Sequence, residues 1–464
     1  MRQLFLVCFA LAVSLPTRTA FAAAPPVDIL TQLQAVPGLT VTEQPSPRPD
    51  YRYFVMTFDQ PADHDHPDGQ RFAQALTLLH RDTAAPMVLF TTGYWGIPVF
   101  YPVELTRLIG ANQLGIEHRF FGSSRPDPAD WSLLNIRQAA DDFHRIVEAL
   151  KPIYGGRWLS TGVSKGGGSV LYHRRFYPDD VYATVAYVAP LSLRDDPRYI
   201  RFLDNVGTSA CRDRLHALQQ AVLDRKAEIL PLLLAEANQN GWTYNHLGID
   251  KAYEHLVEEF YFSFWQTSSI TVCDAVPAPD ATAYDIYTWL HPLVGWDYFS
   301  DQALDVSEPF YYQSATQLGY AAPYDYFLKG LSYPGTDIAE QYVSRPLPPY
   351  DYAALLDVQL WLALQGQRIM LIYGNSDPFS AVGHYELGLA CDSYEYWAQT
   401  NHAAHVVSLD PATQAAALQT LSRWAAAPIV PQAVTTMQRE ATQGSINLVD
   451  RPMPPFGPRT TIPR

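Results

Sequence analysis

Gly162-Val163-Ser164-Lys165-Gly166 places a hydroxyl between glycines, after the apolar run RWLST and before the helix-like SVLYHRRFY. A strand that enters a helix through so sharp a turn strains the serine backbone and crowds its neighbours, which glycine alone tolerates. Ser164 is therefore a candidate nucleophile. The amide of Lys165, at the start of the helix, is a candidate donor to a developing oxyanion. A serine hydroxyl needs an imidazole to take its proton, and the imidazole needs a carboxylate to fix its tautomer. Both follow in the order nucleophile, acid, base: Asp377 where the strand-like IMLIYG runs into a polar loop, and His402 in YWAQTNHAAHV. His405 competes with His402 but lies further from the strand end. The loop after MVLFTTG predicts the amide of Tyr94 as the second oxyanion donor. Glu117, in EHRFFGSSRP, is either a helix-cap or salt-bridge carboxylate or a contributor to the substrate site.

These residues must be carried by a fold that brings distant loops together. From Pro86 the chain alternates short apolar runs with amphipathic segments, which predicts a mostly parallel sheet covered on both faces. The alternation stops near residue 194 and resumes near 351. The division expected is therefore 25–194 and 351–428 as two parts of one α/β core, 195–350 as an inserted, mainly helical cap, and 429–464 as an extended Pro-rich tail. Two strand patterns, YRYFVMTF and QRFAQALTLL, predict an opening hairpin. His64, Asp65 and His66 lie in the turn between them, where adjacent side chains diverge, so a solvated loop is expected rather than a metal site.

The chain of 464 residues is 48% hydrophobic and 17% charged, a globular composition, and its formal net charge of −15 disfavours nucleic acid as a partner. Residues 1–24 read as a signal peptide: Arg2, an apolar run too short to anchor in a membrane, then small residues. A secreted or periplasmic location follows, and with it an oxidising compartment in which a disulfide is plausible. Cys211, Cys273 and Cys391 permit three pairings. Cys211 with Cys273 is the favoured one, leaving Cys391 free and buried.

QPADHDHPDG, EHRFFGSSRP, TGVSKGGGSVLYHRRFYPDDVYATVAYVAPLS, YGNSDPF and NHAAH together resemble the secreted bacterial prolyl tri- and tetrapeptidyl aminopeptidases, serine peptidases of the α/β-hydrolase fold. A more distant similarity, centred on EHRFFG, is to prolyl carboxypeptidase and dipeptidyl peptidase relatives. The resemblance implies cleavage after proline near a free N-terminus, with Ser164, Asp377 and His402 matching nucleophile, acid and base. Val163 and Phe379 stand where that family usually has Gly and Trp. Aromatic runs in the insertion can wall a proline pocket, and Glu258, Glu259 or Glu117 are candidates to hold the substrate ammonium. The chemistry calls for no metal or cofactor. An esterase or lipase, and a noncatalytic binding protein, are the alternatives on the same fold.

Overall fold

The computed structural model describes residues 27–46, 48–94, 101–268, 270–383, 387 and 392–442. The expected signal segment and Cys391 lie outside the described residues, as does the chain beyond 442.

Nine strands form one sheet: β1 (Leu39–Gln44), β2 (Arg52–Pro61), β3 (Arg71–His80), β4 (Met87–Thr91), β5 (Asn112–Ile116), β6 (Trp158–Val163), β7 (Ala183–Tyr187), β8 (Ile369–Gly374) and β9 (Tyr394–Ala398). Their spatial order is β1-β2-β3-β5-β4-β6-β7-β8-β9. The β2–β3 hairpin and β1 are antiparallel, and β5 onwards is parallel. β4, β5, β7 and β8 are buried along their whole length, which is why MVLF of β4 and IMLIY of β8 read as continuous apolar runs. One apolar layer packs Phe143, Ile146 and Leu171 on one face, and another packs Leu105, Leu108, Leu421 and Trp424 on the other. This is the α/β-hydrolase fold.

Between β7 and β8 the chain forms a series of helices, among them Ser209–Asp224, Ile249–Thr267, Asp301–Gln313 and Tyr352–Leu364. The first three gather around their own core of Leu215, Leu218, Val257, Phe260, Trp265 and Trp296. Cys211 and Cys273 form a disulfide that spans 62 residues of this insertion.

Two sequence expectations are corrected. Pro431–Thr442 is a helix, not an extended tail. Pro431 occupies its first position, where a missing N–H costs nothing, and Val434 and Met437 pack against the layer containing Leu105 and Leu108. In the HDH turn Asp65 and His66 are exposed, as a solvated loop requires, but His64 turns inward: its Nε2 lies 2.7 Å from Asp142 Oδ1, while His66 Nδ1 lies 2.6 Å from Asp63 Oδ2. Asp142 also receives the fully buried Arg119 guanidinium at 2.7 and 2.9 Å, so His64 completes an internal charge network.

Candidate active site

Parallel strands put their C-terminal ends on one edge, and loops leaving that edge converge. Ser164 follows β6, Tyr94 lies just beyond β4, Asp377 follows β8 and His402 follows β9. Thr91 of β4 stands opposite Gly162 of β6, which brings the Tyr94 loop against the serine turn.

Ser164 has φ 54 and ψ −126, a conformation that L side chains rarely adopt. Its amide donates to Tyr187 O at 2.9 Å, and the helix Lys165–Phe176 begins at the next residue. A Cβ on Gly166 would sit 2.2 Å from Thr91 O, and one on Gly93, at φ +78, would sit 2.7 Å from the Gly166 nitrogen. Contact between the two loops is thus backbone on backbone, which explains the glycines around the serine.

As the first residue of its helix, Lys165 has an amide with no intrahelical acceptor. Its side chain turns back, donates to Gly93 O and lies 5.2 Å and 4.8 Å from the ring centres of Tyr94 and Phe121. Burial pushes this ammonium well below the usual lysine range. The Tyr94 amide, expected as the second oxyanion donor, donates here to Thr92 Oγ1 at 3.1 Å, and both residues line the cavity beside Ser164.

Asp377 is fully buried. Its Oδ2 lies 2.8 Å from His402 Nδ1, and its Oδ1 accepts the Phe379 amide at 3.1 Å. With Nδ1 committed to the carboxylate, the tautomer with a basic Nε2 is favoured. The His402 amide donates to Gln266 O of the inserted helix Ile249–Thr267 at 3.1 Å, so the insertion also holds this loop. His405 instead caps the short turn Val406–Ser408 beneath, packed on Tyr187.

Ser164 and His402 line one cavity of about 220 Å³ between sheet and insertion. Phe379 stands edge-on to His402 at 6.0 Å between ring centres and to Phe262 at 5.0 Å. Glu258 and Glu259 reach the same cavity from the inserted helix. Burial raises Glu258 to about 10, aided by the neighbouring Asp337, and raises Glu259 to about 8. Glu117 does not line the cavity: its Oε1 accepts the Ser123 amide at 2.9 Å, the Ser124 amide at 2.9 Å and the Ser124 hydroxyl at 2.7 Å. Its role is to fold the EHRFFGSSRP turn, because every one of these donors belongs to that turn.

Two residues went unnoticed in the sequence. Asp337 lines the cavity from a loop with no recognisable pattern. Glu104 is buried and accepts the amides of Val406 and Val407 at 3.1 and 3.0 Å and the Tyr187 hydroxyl at 2.7 Å, anchoring the chain just beyond His402. An acid in the first turn of an apolar helix, Glu104–Ile109, is the one signal that marks it.

The family described as PS-10 peptidase S37 matches residues 22–448. A prolyl tri/tetrapeptidyl aminopeptidase of Streptomyces mobaraensis is 40% identical over 442 residues, covering 93% of this chain and 90% of the relative. A lysosomal Pro-X carboxypeptidase of Mus musculus is 27% identical over 175 residues, covering 33% of this chain and 36% of its own. Among solved structures, proline iminopeptidase of Mycobacterium smegmatis aligns at TM-score 0.37 and 16% identity, over 83% of this chain and 99% of that one.

Proposed function

Because the chain belongs to the peptidase S37 family, we propose that it is an exported serine peptidase that cuts after proline and releases short peptides from free N-termini. The observation that carries this reading is the 2.8 Å contact of His402 with buried Asp377 in the cavity that Ser164 also lines.

Ser164 Oγ attacks the carbonyl carbon of the proline residue as His402 Nε2 takes its proton, while Asp377 stabilises the imidazolium. The Lys165 amide receives the oxyanion, and the Tyr94 amide turns to it from Thr92. Collapse of the intermediate breaks the C–N bond; His402 protonates the departing amine, and the peptide remains as an ester on Ser164. Water, deprotonated by His402, then frees the peptide acid. Proline suits the site because its ring packs on flat apolar walls such as Phe379 and Phe262 and its nitrogen brings no N–H to satisfy.

Export is supported by the Cys211–Cys273 disulfide, which favours an oxidising compartment. No helix among the described residues is long and apolar enough to cross a membrane.

The test is hydrolysis of a chromogenic tripeptide ending in proline, with free and with acetylated N-terminus, by wild type and Ser164→Ala. Cleavage of the free form, lost in the variant, is expected. Hydrolysis of simple esters with neither peptide cut would overturn the peptidase reading in favour of an esterase.

A further inference from the structure

Ser314 is 2% exposed and borders the cavity that Ser164 lines, yet its hydroxyl has no hydrogen-bond partner among the described residues. A serine or threonine inside a helix commonly returns its hydroxyl to the carbonyl four residues before it. Ser307 does so to Ala303 O at 2.7 Å, Thr267 to Ser263 O at 2.7 Å and Thr316 to Tyr312 O at 2.8 Å. Ser314 does not. Other hydroxyls bordering the cavity are engaged as well: Thr92 accepts the Tyr94 amide at 3.1 Å, Ser192 pairs with the Tyr199 phenol at 2.8 Å and Ser263 donates to Glu259 at 2.9 Å. Burying a hydroxyl without a partner is costly, and a ligand that supplies one removes the cost.

The backbone around this residue is unusual. The helix Asp301–Gln313 widens into a π turn, Ser314–Leu318, closed by the Gly319 amide on Ser314 O at 3.0 Å, and single widened turns of this kind gather at functional sites. The turn is tied to the sheet domain from three sides. Thr316 O accepts the Asp351 amide at 2.8 Å, the Gln317 side chain accepts the Ile136 amide at 2.9 Å, and a Cβ on Gly319, at φ +72, would sit 2.3 Å from Leu193 O. Ser314 therefore belongs to the inserted segment in sequence but keeps a fixed position relative to Ser164, as a residue that registers a substrate must.

We propose that Ser314 is a substrate-binding residue whose hydroxyl bonds the peptide group joining the first two residues of a tripeptide that ends in proline. The inference rests on the peptidase reading and deepens it. Of the two peptide bonds in such a tripeptide, the one to proline has no N–H. The first has both an N–H and a C=O, and each loses water on entering a cavity between sheet and insertion and needs a partner there. A hydroxyl donates to that C=O or accepts from that N–H. It does so whatever side chains the peptide carries, so the contact secures the main chain and leaves the sequence before proline free to vary.

The test changes the enzyme and the substrate in turn. Ser314→Ala should lower kcat/KM for the free chromogenic tripeptide by about 5- to 30-fold, the scale of one hydrogen bond to a buried group, and leave hydrolysis of a simple acetate ester, which has no peptide group, unaffected. Replacing the first amide of the tripeptide by an ester deletes the N–H and weakens the carbonyl as an acceptor. That change should cost the wild type a similar factor and cost Ser314→Ala little more, because the two changes remove one contact. Equal losses on acetate ester and peptide, or losses that multiply across the two changes, would overturn the proposal while leaving the peptidase reading intact. Thr316→Val removes from the same turn a hydroxyl already bound to Tyr312 O and should leave every rate unchanged; a loss matching that of Ser314→Ala would assign the effect to folding of the turn and sink the proposal. Should the wild type cut no peptide, the peptidase reading falls, and calorimetric binding of the tripeptide to Ser164→Ala decides the contact: affinity about 5- to 30-fold weaker once Ser314→Ala is added supports it, and equal affinity or no binding refutes it.

Discussion

The ε-amine of Lys165 donates to the carbonyl oxygen of Gly93. That carbonyl belongs to the same peptide plane as the Tyr94 N–H, which donates to the Thr92 hydroxyl, so the lysine sets the resting position from which this N–H turns to the oxyanion in the proposed mechanism. In the proposed mechanism Lys165 therefore acts twice, by its backbone at one oxyanion position and by its side chain on the loop of the second. Lys165→Met should lower kcat by about 10- to 100-fold, somewhat less than outright loss of an oxyanion donor, with KM nearly unchanged. Thermal stability should hold or rise, because a desolvated amine has been removed. Steady-state kinetics and a thermal melt decide it; a loss confined to KM would count against this role.

In the proposed triad, Asp377 sets the His402 tautomer through its 2.8 Å contact with Nδ1. Asp377→Asn should cost about 10⁴ in kcat with substrate still bound, by analogy with the triad carboxylate of other serine peptidases. His405→Ala should lower the melting temperature and spare kcat, since this ring is packed on Tyr187 below the cavity. Similar kinetic losses in both variants would contradict the assignment of His402 as the base.

The raised carboxyls also predict how stability changes with pH. Glu258 and Glu259 keep their protons in the fold to about 10 and about 8, whereas in the unfolded chain they ionise near the usual 4.5. Between pH 5 and 8 the folded state therefore binds more protons, and stability falls as pH rises. Glu258→Gln cannot ionise and should flatten that decline by about 1 kcal/mol per pH unit. Urea unfolding at pH 5, 6, 7 and 8 measures it, and an unchanged slope would show that Glu258 ionises freely in the fold.

Replacing Cys211 and Cys273 by Ser opens a ring that contains the helix bearing Glu258 and Glu259. The expected cost is about 2–4 kcal/mol of stability, and KM should rise before kcat falls, because Ser164 and Asp377 lie outside the ring. Denaturation and kinetics of the double variant would settle the order.

The site was legible in the sequence where backbone geometry dictates residue type. Gly162 to Gly166 had to accommodate a serine at positive φ, and Asp377 and His402 each follow a strand whose end is marked by a polar loop. The parallel strands were legible because burial on both faces removes polar residues from them. Partners brought together only by tertiary contact were not. His64 reads as a loop residue until Asp142 arrives from 78 residues away, and Glu117 looks like a cleft acid until its serine donors close around it. Pro431 suggested an extended tail because proline alone does not tell a helix start from a strand end. Adjacent acids in the aromatic YEHLVEEFYFSFW were a visible anomaly, but nothing in SYPGTDIAEQY reveals that Asp337 meets them.

Ser164 is fixed to the sheet, while Glu258 is fixed to a helix with a separate core inserted between β7 and β8. On the peptidase reading, a substrate held by its first nitrogen at the inserted helix and cut at the serine would be measured against the spacing between two bodies of one protein. Product length becomes a dimension of the architecture, like the gap of a caliper: changing the peptide's side chains alters how well it fits, and only moving one jaw relative to the other alters where it is cut.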